Sequence, residues 1–292
     1  MLEVELFGFK LKNPLLPAAG PMTADDRWVK KVYEQGVGAM VLKTVSVTAA
    51  KVKRPAIIKL PYGVMNCELW SEEPPERWTE DFLPKIREFI DIPIIGSVGY
   101  KPEELKEVIP KLEPFVDMFE VSTHYTGFDT KPVYQAAISS KEVTQKPVMI
   151  KLSPHSTELA TLAKAAVDGG ADGIVAINSV GPALSIDIKH RKSKLGAFYG
   201  WLSGPAIKPI ALRSVYEIRR AVSVPIVAAG GVETADDVIE FMLAGATAVQ
   251  MLSAAIMHGV DLYSKIIREL PERLKFYGFK SAEEVIGSLK EW

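Results

Sequence analysis

Eight short, almost wholly apolar runs punctuate the chain, at residues 15–19, 38–42, 92–95, 116–121, 147–152, 173–177, 224–228 and 246–252. A strand with one wet face alternates apolar and polar residues. Runs without alternation are buried on both faces, as in a parallel sheet covered by helices. Between most of them, segments 25–35, 103–112, 132–144, 157–169, 211–221 and 235–243 place apolar side chains at three- and four-residue intervals, the spacing of helices with one buried face. Eight strand–helix units favour a closed, TIM-like (β/α)8 barrel over an open doubly wound sheet, so the expected class is α/β. The 292 residues suit one barrel domain spanning 1–292, since such barrels typically take about 250.

Other segments decorate this frame. Residues 2–11 alternate about Gly8 and predict an N-terminal hairpin that closes one end of the barrel. Segments 168–173 and 244–246 are glycine-bearing helix exits just before strands. Segment 45–90 is too long for an ordinary strand-to-helix loop, and 181–202 is a second excursion carrying Lys189-His190-Arg191-Lys192. Loops at the carboxyl ends of barrel strands carry function, so both are expected over the mouth. On its own, the basic run reads first as a wetted loop.

With 35 Lys plus Arg against 36 Asp plus Glu, the net charge of −1 gives no electrostatic footprint for nucleic acid. Cys67 is the single cysteine, which excludes an internal disulfide and a four-cysteine cluster. Any iron–sulfur cluster must then belong to a partner. No His/Cys/Asp cluster has metal-ligand spacing, so no metal is expected. The acidic start Met1-Leu2-Glu3-Val4-Glu5 lacks a basic signal region, and no apolar run approaches the roughly 18 residues of a membrane span. A soluble, cytoplasmic protein without a membrane partner is expected.

In a barrel the strand ends meet around one cavity. Lys43-Thr44 ends the second run and Lys151 the fifth, so two ammonium groups there suit a flavin ring or the negative charge that forms on it. The plain reading is a rim lysine paired with a carboxylate. Asn178-Ser179 ends the sixth run and offers an amide and a hydroxyl to a polar heterocycle, or else caps a turn. The small residues of Ala18-Ala19-Gly20-Pro21 would let a flat ring approach the backbone. The run Gly200-Trp201-Leu202-Ser203-Gly204, followed by strand 224–228 and Gly230-Gly231, predicts two glycine-bearing turns presenting N–H groups to one phosphate. After the fourth run, His124 or Tyr125 is the candidate proton-transfer group. Histidine is the easier choice because its reference pKa of about 6.5 lies nearer neutrality, but spacing does not decide between them.

The longest matching element, 200–213, together with Pro225-Ile226-Val227, Gly230-Gly231-Val232, Lys43-Thr44-Val45, Arg54-Pro55 and the element 148–154, resembles the dihydroorotate dehydrogenase family, especially its soluble flavin-containing branch. The resemblance covers nearly the whole chain. It implies FMN at the carboxyl ends of the strands: Ala19 and Gly20 lining the ring, Lys43 and Thr44 contacting it, and Lys151 at its electronegative edge. It also implies Ser203 with Gly204, Gly230 with Gly231, and Leu252 with Ser253 around the phosphate, and Asn66, Asn178 and Ser179 facing a pyrimidine. A homodimer and a separate electron-transfer subunit are further implications.

Departures gather on the substrate side. Tyr125 stands where that branch has its cysteine base, Ser122 and Gly127 replace its asparagines, and Leu252-Ser253 replaces Gly-Thr. Leu69-Trp70-Ser71-Glu72 occupies a Gly-Leu-x-Asn element, and Glu72 in the pocket would repel a carboxylated pyrimidine. The expected function is an FMN-dependent oxidoreductase that transfers hydride at a C–C bond next to a carbonyl or cyclic amide. Authentic dihydroorotate oxidation is the runner-up, and an altered flavin- or anion-binding barrel acting within a protein complex is the reading from another class.

Overall fold

The computed structural model describes residues 1–99, 101–123, 127, 129–154 and 158–291. Strands β1 (Val4–Leu6) and β2 (Phe9–Leu11) form the expected antiparallel hairpin. The barrel strands follow the apolar runs. They are β3 (Leu15–Pro17) and β4 (Met40–Val41), then, after β5 (Ile57–Leu60) and β6 (Gly63–Asn66) of the first excursion, β7 (Ile94–Val98), β8 (Met118–Ser122), β9 (Val148–Leu152) and β10 (Gly173–Ala176). The second excursion supplies β11 (Val180–Ala183), β12 (Ile186–Asp187), β13 (Lys192–Ser193) and β14 (Gly200–Ser203), and β15 (Ile226–Ala229) and β16 (Ala248–Met251) complete the barrel. The eight barrel strands lie in the order β3-β16-β15-β10-β9-β8-β7-β4, every neighbouring pair parallel.

The first and second barrel strands, at the two ends of that order, close the ring. The Gly38 N–H donates to Leu15 O at 2.9 Å. A Cβ at Gly38 would lie 2.0 Å from Asn13 O, so glycine is what lets the strands meet. Buried Asn13 fastens the same seam, donating to Gly36 O at 2.8 Å and accepting from Leu15 N at 3.0 Å. This is the TIM-like α/β barrel that the pattern of runs predicts.

The six expected helices are present, from Asp26–Tyr33 to Ala235–Ala244. Two more, Leu83–Phe89 and Leu262–Phe276, complete the outer ring. No helix among the described residues is long and apolar enough to cross a membrane.

The two excursions unite over the mouth. β5 and β6 from one and β11 and β14 from the other build a four-stranded antiparallel sheet, order β11-β14-β6-β5, with Trp201 opposite Asn66 and Ser203 opposite Val64. Gly200–Ser203 is therefore a strand of this lid, not the glycine turn expected from its small residues. The turn begins one residue later, at Gly204, whose φ of 107° lies in the region that favours glycine. Ala56, Leu60, Met65, Cys67 and Leu195 give the lid its own small apolar core.

Candidate active site

Under the lid, at the carboxyl ends of the barrel strands, lies a cleft holding about 1050 Å³ of space continuous with solvent. Its floor is polar. Lys151 of β9 donates from Nζ to Glu120 Oε1 and to Gln250 Oε1, each at 3.0 Å, and Gln250 Nε2 donates to Glu120 Oε2 at 2.6 Å. β16, which carries Gln250, is separated from β9 by two strands. These bonds therefore cross the barrel interior. Glu120 has no exposure to water, so its charge is tolerable only because the ammonium and amide compensate it. An ammonium has three N–H donors, and two are engaged here, so Lys151 can also face a ligand.

A second cation stands at the end of β4. Lys43 Nζ donates to Glu68 Oε2 at 2.6 Å, with side-chain exposures of 8% and 14%. Thr44 beside it shares a hydrogen bond with Ser97 Oγ at 2.8 Å. Glu68 follows β6, and its N–H donates to Asn66 Oδ1 at 3.3 Å, so the lid strand sets its position. Asn178 and Ser179 line the opposite wall, where Asn178 Nδ2 reaches Ser122 Oγ at 3.5 Å.

Ala18, Ala19 and Gly20 form a shelf of small residues after β3. Gly20 is extended, with φ 172°, so its conformation suits any residue. A Cβ there would lie 2.3 Å from Leu252 Cδ2, so a side chain at this position would have to move the end of Leu252. Leu252 itself has a negative φ, −146°, and its side chain folds against Gly20.

After β15, Gly230 and Gly231 have φ of 127° and 87°. A Cβ on Gly231 would lie 2.7 Å from Lys208 Cβ and 2.8 Å from Gly204 O, so this turn and the turn at Gly204 pack against each other. Gly230, Gly231, Ser203, Leu252 and Ser253 line the cleft, whereas Gly204 supports it from behind. Loops after the seventh and eighth strands, with a short helix such as Ser253–His258, are where barrels of this kind hold phosphate. Tyr263, fully buried, donates its hydroxyl to Met251 O and steadies the end of β16, and burial pushes its phenol well above the ordinary tyrosine range. Small shelf, glycine turns and two inward lysines suit a flat ring bearing a terminal anion.

The cleft gathers Ala19, Gly20, Lys43, Thr44, Asn66, Lys151, Asn178, Ser179, Ser203, Gly230, Gly231, Leu252 and Ser253. Glu72 is not among its lining residues. It pairs with Arg54 at 2.5 Å on the rim of a neighbouring cleft, and Glu68 is the acidic residue of the lid that lines the site. The basic run 189–192 belongs to the exposed hairpin β12–β13, where His190 Nδ1 lies 2.7 Å from Asp187. His124 and Tyr125 lie outside the described residues. Glu68, Glu120 and Gln250 were not expected as site residues, although a charge or an amide inside runs 116–121 and 246–252 signals a polar group turned into a barrel.

The family model for dihydroorotate dehydrogenase matches residues 1–274. Among curated proteins, the chain is 37% identical to a protein of Pyrococcus horikoshii (98% of this chain, 97% of the other) and 38% identical to one of Pyrococcus abyssi (98% of each). It is 36% identical to one of Caldicellulosiruptor bescii (99% of each). All three are named dihydroorotate dehydrogenase B (NAD(+)), catalytic subunit. With this likeness running almost end to end and the cleft where a flavin barrel needs it, the chain belongs to the dihydroorotate dehydrogenase family and is an oxidoreductase of that flavin-dependent type.

Proposed function

We propose that the chain binds FMN in this cleft and transfers hydride at a ring C–C bond adjacent to a carbonyl or cyclic amide. The observation that carries the reading is the Lys151–Glu120–Gln250 network beneath a shelf of small residues and beside two glycine turns. FMN, when bound, supplies the hydride acceptor or donor. Lys151, held by Glu120 and Gln250, places positive charge where the ring becomes electron-rich, in a site largely withdrawn from water. Ala19 and Gly20 bound the ring face, and Lys43 and Thr44 contact its edge. Main-chain N–H groups of Gly230, Gly231, Leu252 and Ser253, with Ser203 and Gly204 beside them, hold the phosphate. Asn66, Asn178 and Ser179 orient the polar edge of the substrate. His124 or Tyr125, following β8, exchanges the proton that accompanies hydride transfer.

The relatives' name, catalytic subunit of an NAD(+) enzyme, supports a separate electron-transfer subunit for this chain, because one cysteine cannot hold a four-cysteine cluster. A homodimeric, cytoplasmic protein is part of the same proposal. The same name supports dihydroorotate itself as a second reading of the substrate.

Protein loaded with FMN and passed over a sizing column is expected to retain about one flavin per chain, as one such cleft would hold. Anaerobic addition of dihydropyrimidines should then bleach the flavin band. Colourless protein after loading contradicts the proposal, and rapid bleaching by dihydroorotate selects the second reading.

A further inference from the structure

Among the described residues, the charged side chains lining the cleft are Lys43, Glu68, Glu120 and Lys151. They form two internal pairs, Lys43–Glu68 at 2.6 Å and Lys151–Glu120 at 3.0 Å, so the charges of the described lining residues cancel. Its other polar side chains include Thr44, Asn66, Ser122, Asn178 and Ser179, all neutral. A carboxylated ring that takes either of these lysines as its counter-ion must displace the carboxylate already paired with it, which is costly.

We infer that Glu68 sets the substrate class: by holding the Lys43 ammonium it disfavours a carboxylated ring and admits an uncharged cyclic amide. This inference rests on the flavin-site reading above. An imide edge alternates carbonyl acceptors with N–H donors, which hydroxyl and amide side chains match without any charge. A carboxylate has lone pairs on both oxygens, so Glu68, engaged by Lys43 through Oε2, keeps acceptors for a ring N–H. Position enforces the selection. Glu68 is fixed to Asn66 at the end of β6, which pairs with β14, whereas Glu72 is neutralised by Arg54 outside the cleft.

The test compares uracil and orotate as ligands of the FMN-loaded chain, read by perturbation of the flavin band and by titration calorimetry. Uracil should bind the unaltered protein at least roughly tenfold more tightly than orotate, the scale of one well-made contact to a charged group. Glu68→Gln should improve orotate binding by roughly tenfold or more with flavin content maintained, while Glu72→Gln should leave the ratio unchanged. Orotate binding as tightly as uracil to the unaltered protein overturns the inference, as does a ratio unmoved by Glu68→Gln or a failure of uracil to bind. The comparison in the unaltered protein stands even if Glu68→Gln does not fold. Loss of FMN binding would overturn both this inference and the function it rests on, whereas normal FMN uptake with tight orotate binding overturns the inference alone.

Discussion

Lys151 and Glu120 are joined at 3.0 Å on the floor of the cleft, and the carboxylate of this pair has no contact with water. Removing the ammonium alone strands a buried charge. Lys151→Met is therefore expected to cost about 3–5 kcal/mol of stability, and adding Glu120→Gln should restore most of it. Hydride transfer should stay impaired in both, because neither retains the cation. Denaturant unfolding of the single and double variants, with anaerobic flavin-reduction rates, checks this. A single-variant loss below about 1 kcal/mol would contradict the burial argument.

Gly20 and Leu252 occupy each other's space: a Cβ on Gly20 would sit 2.3 Å from Leu252 Cδ2. Gly20→Ala is expected to destabilise by about 1–3 kcal/mol through overpacking. Leu252→Ala should relieve part of that cost when combined with it, giving a favourable coupling energy in a double-mutant cycle. Strictly additive effects would show that the two side chains do not compete.

Gly231 has φ 87° and packs against Lys208 and Gly204. Gly231→Ala should cost about 1–3 kcal/mol from backbone strain and crowding, and it should weaken FMN retention more than Gly36→Ala. Gly36 also has positive φ, 82°, but open space around it, so it separates strain from damage to the phosphate turn. Dialysis of FMN-loaded variants measures the difference, and equal flavin loss from both would contradict the assignment.

Asp236 and Arg273 tie the helix Ala235–Ala244 to Leu262–Phe276 through two bonds of 2.6 Å. Hydrogen bonding by Arg273, then by Tyr277, holds the Asp236 carboxyl below its ordinary value of 3.8. A carboxyl depressed in the folded state stabilises above the unfolded pKa and loses that contribution as pH falls through the folded one. Asp236→Asn should lower the melting temperature at neutral pH, and its deficit should shrink below about pH 3.8. A deficit independent of pH would assign the loss to packing.

The barrel is legible because its strands are buried on both faces and interrupt amphipathic helices, a pattern local enough to read. Leu262–Phe276 carries the same signal in Tyr263, Ile266, Leu270 and Leu274, but Pro271 lies inside the helix and breaks the sequence cue. The lid is less legible. β6 meets β14 across 135 residues, as in the Asn66–Trp201 contact, and such pairing depends on tertiary context more than on local pattern. This explains why Glu72 was the expected pocket acid while Glu68 faces the cleft: the side a loop residue presents is set by that distant pairing. Lys43 and Lys151 were readable from their places at strand ends, but their carboxylate partners required the closed barrel.

The central claim is tested most directly by a crystal structure of the FMN-loaded chain with a ring ligand bound. The account predicts the phosphate on main-chain N–H groups near Gly231 and Ser253, the ring between the Ala19–Gly20 shelf and Lys151, and the ligand beside Asn178. A flavin lying elsewhere, or Lys151 remote from its ring, would contradict it.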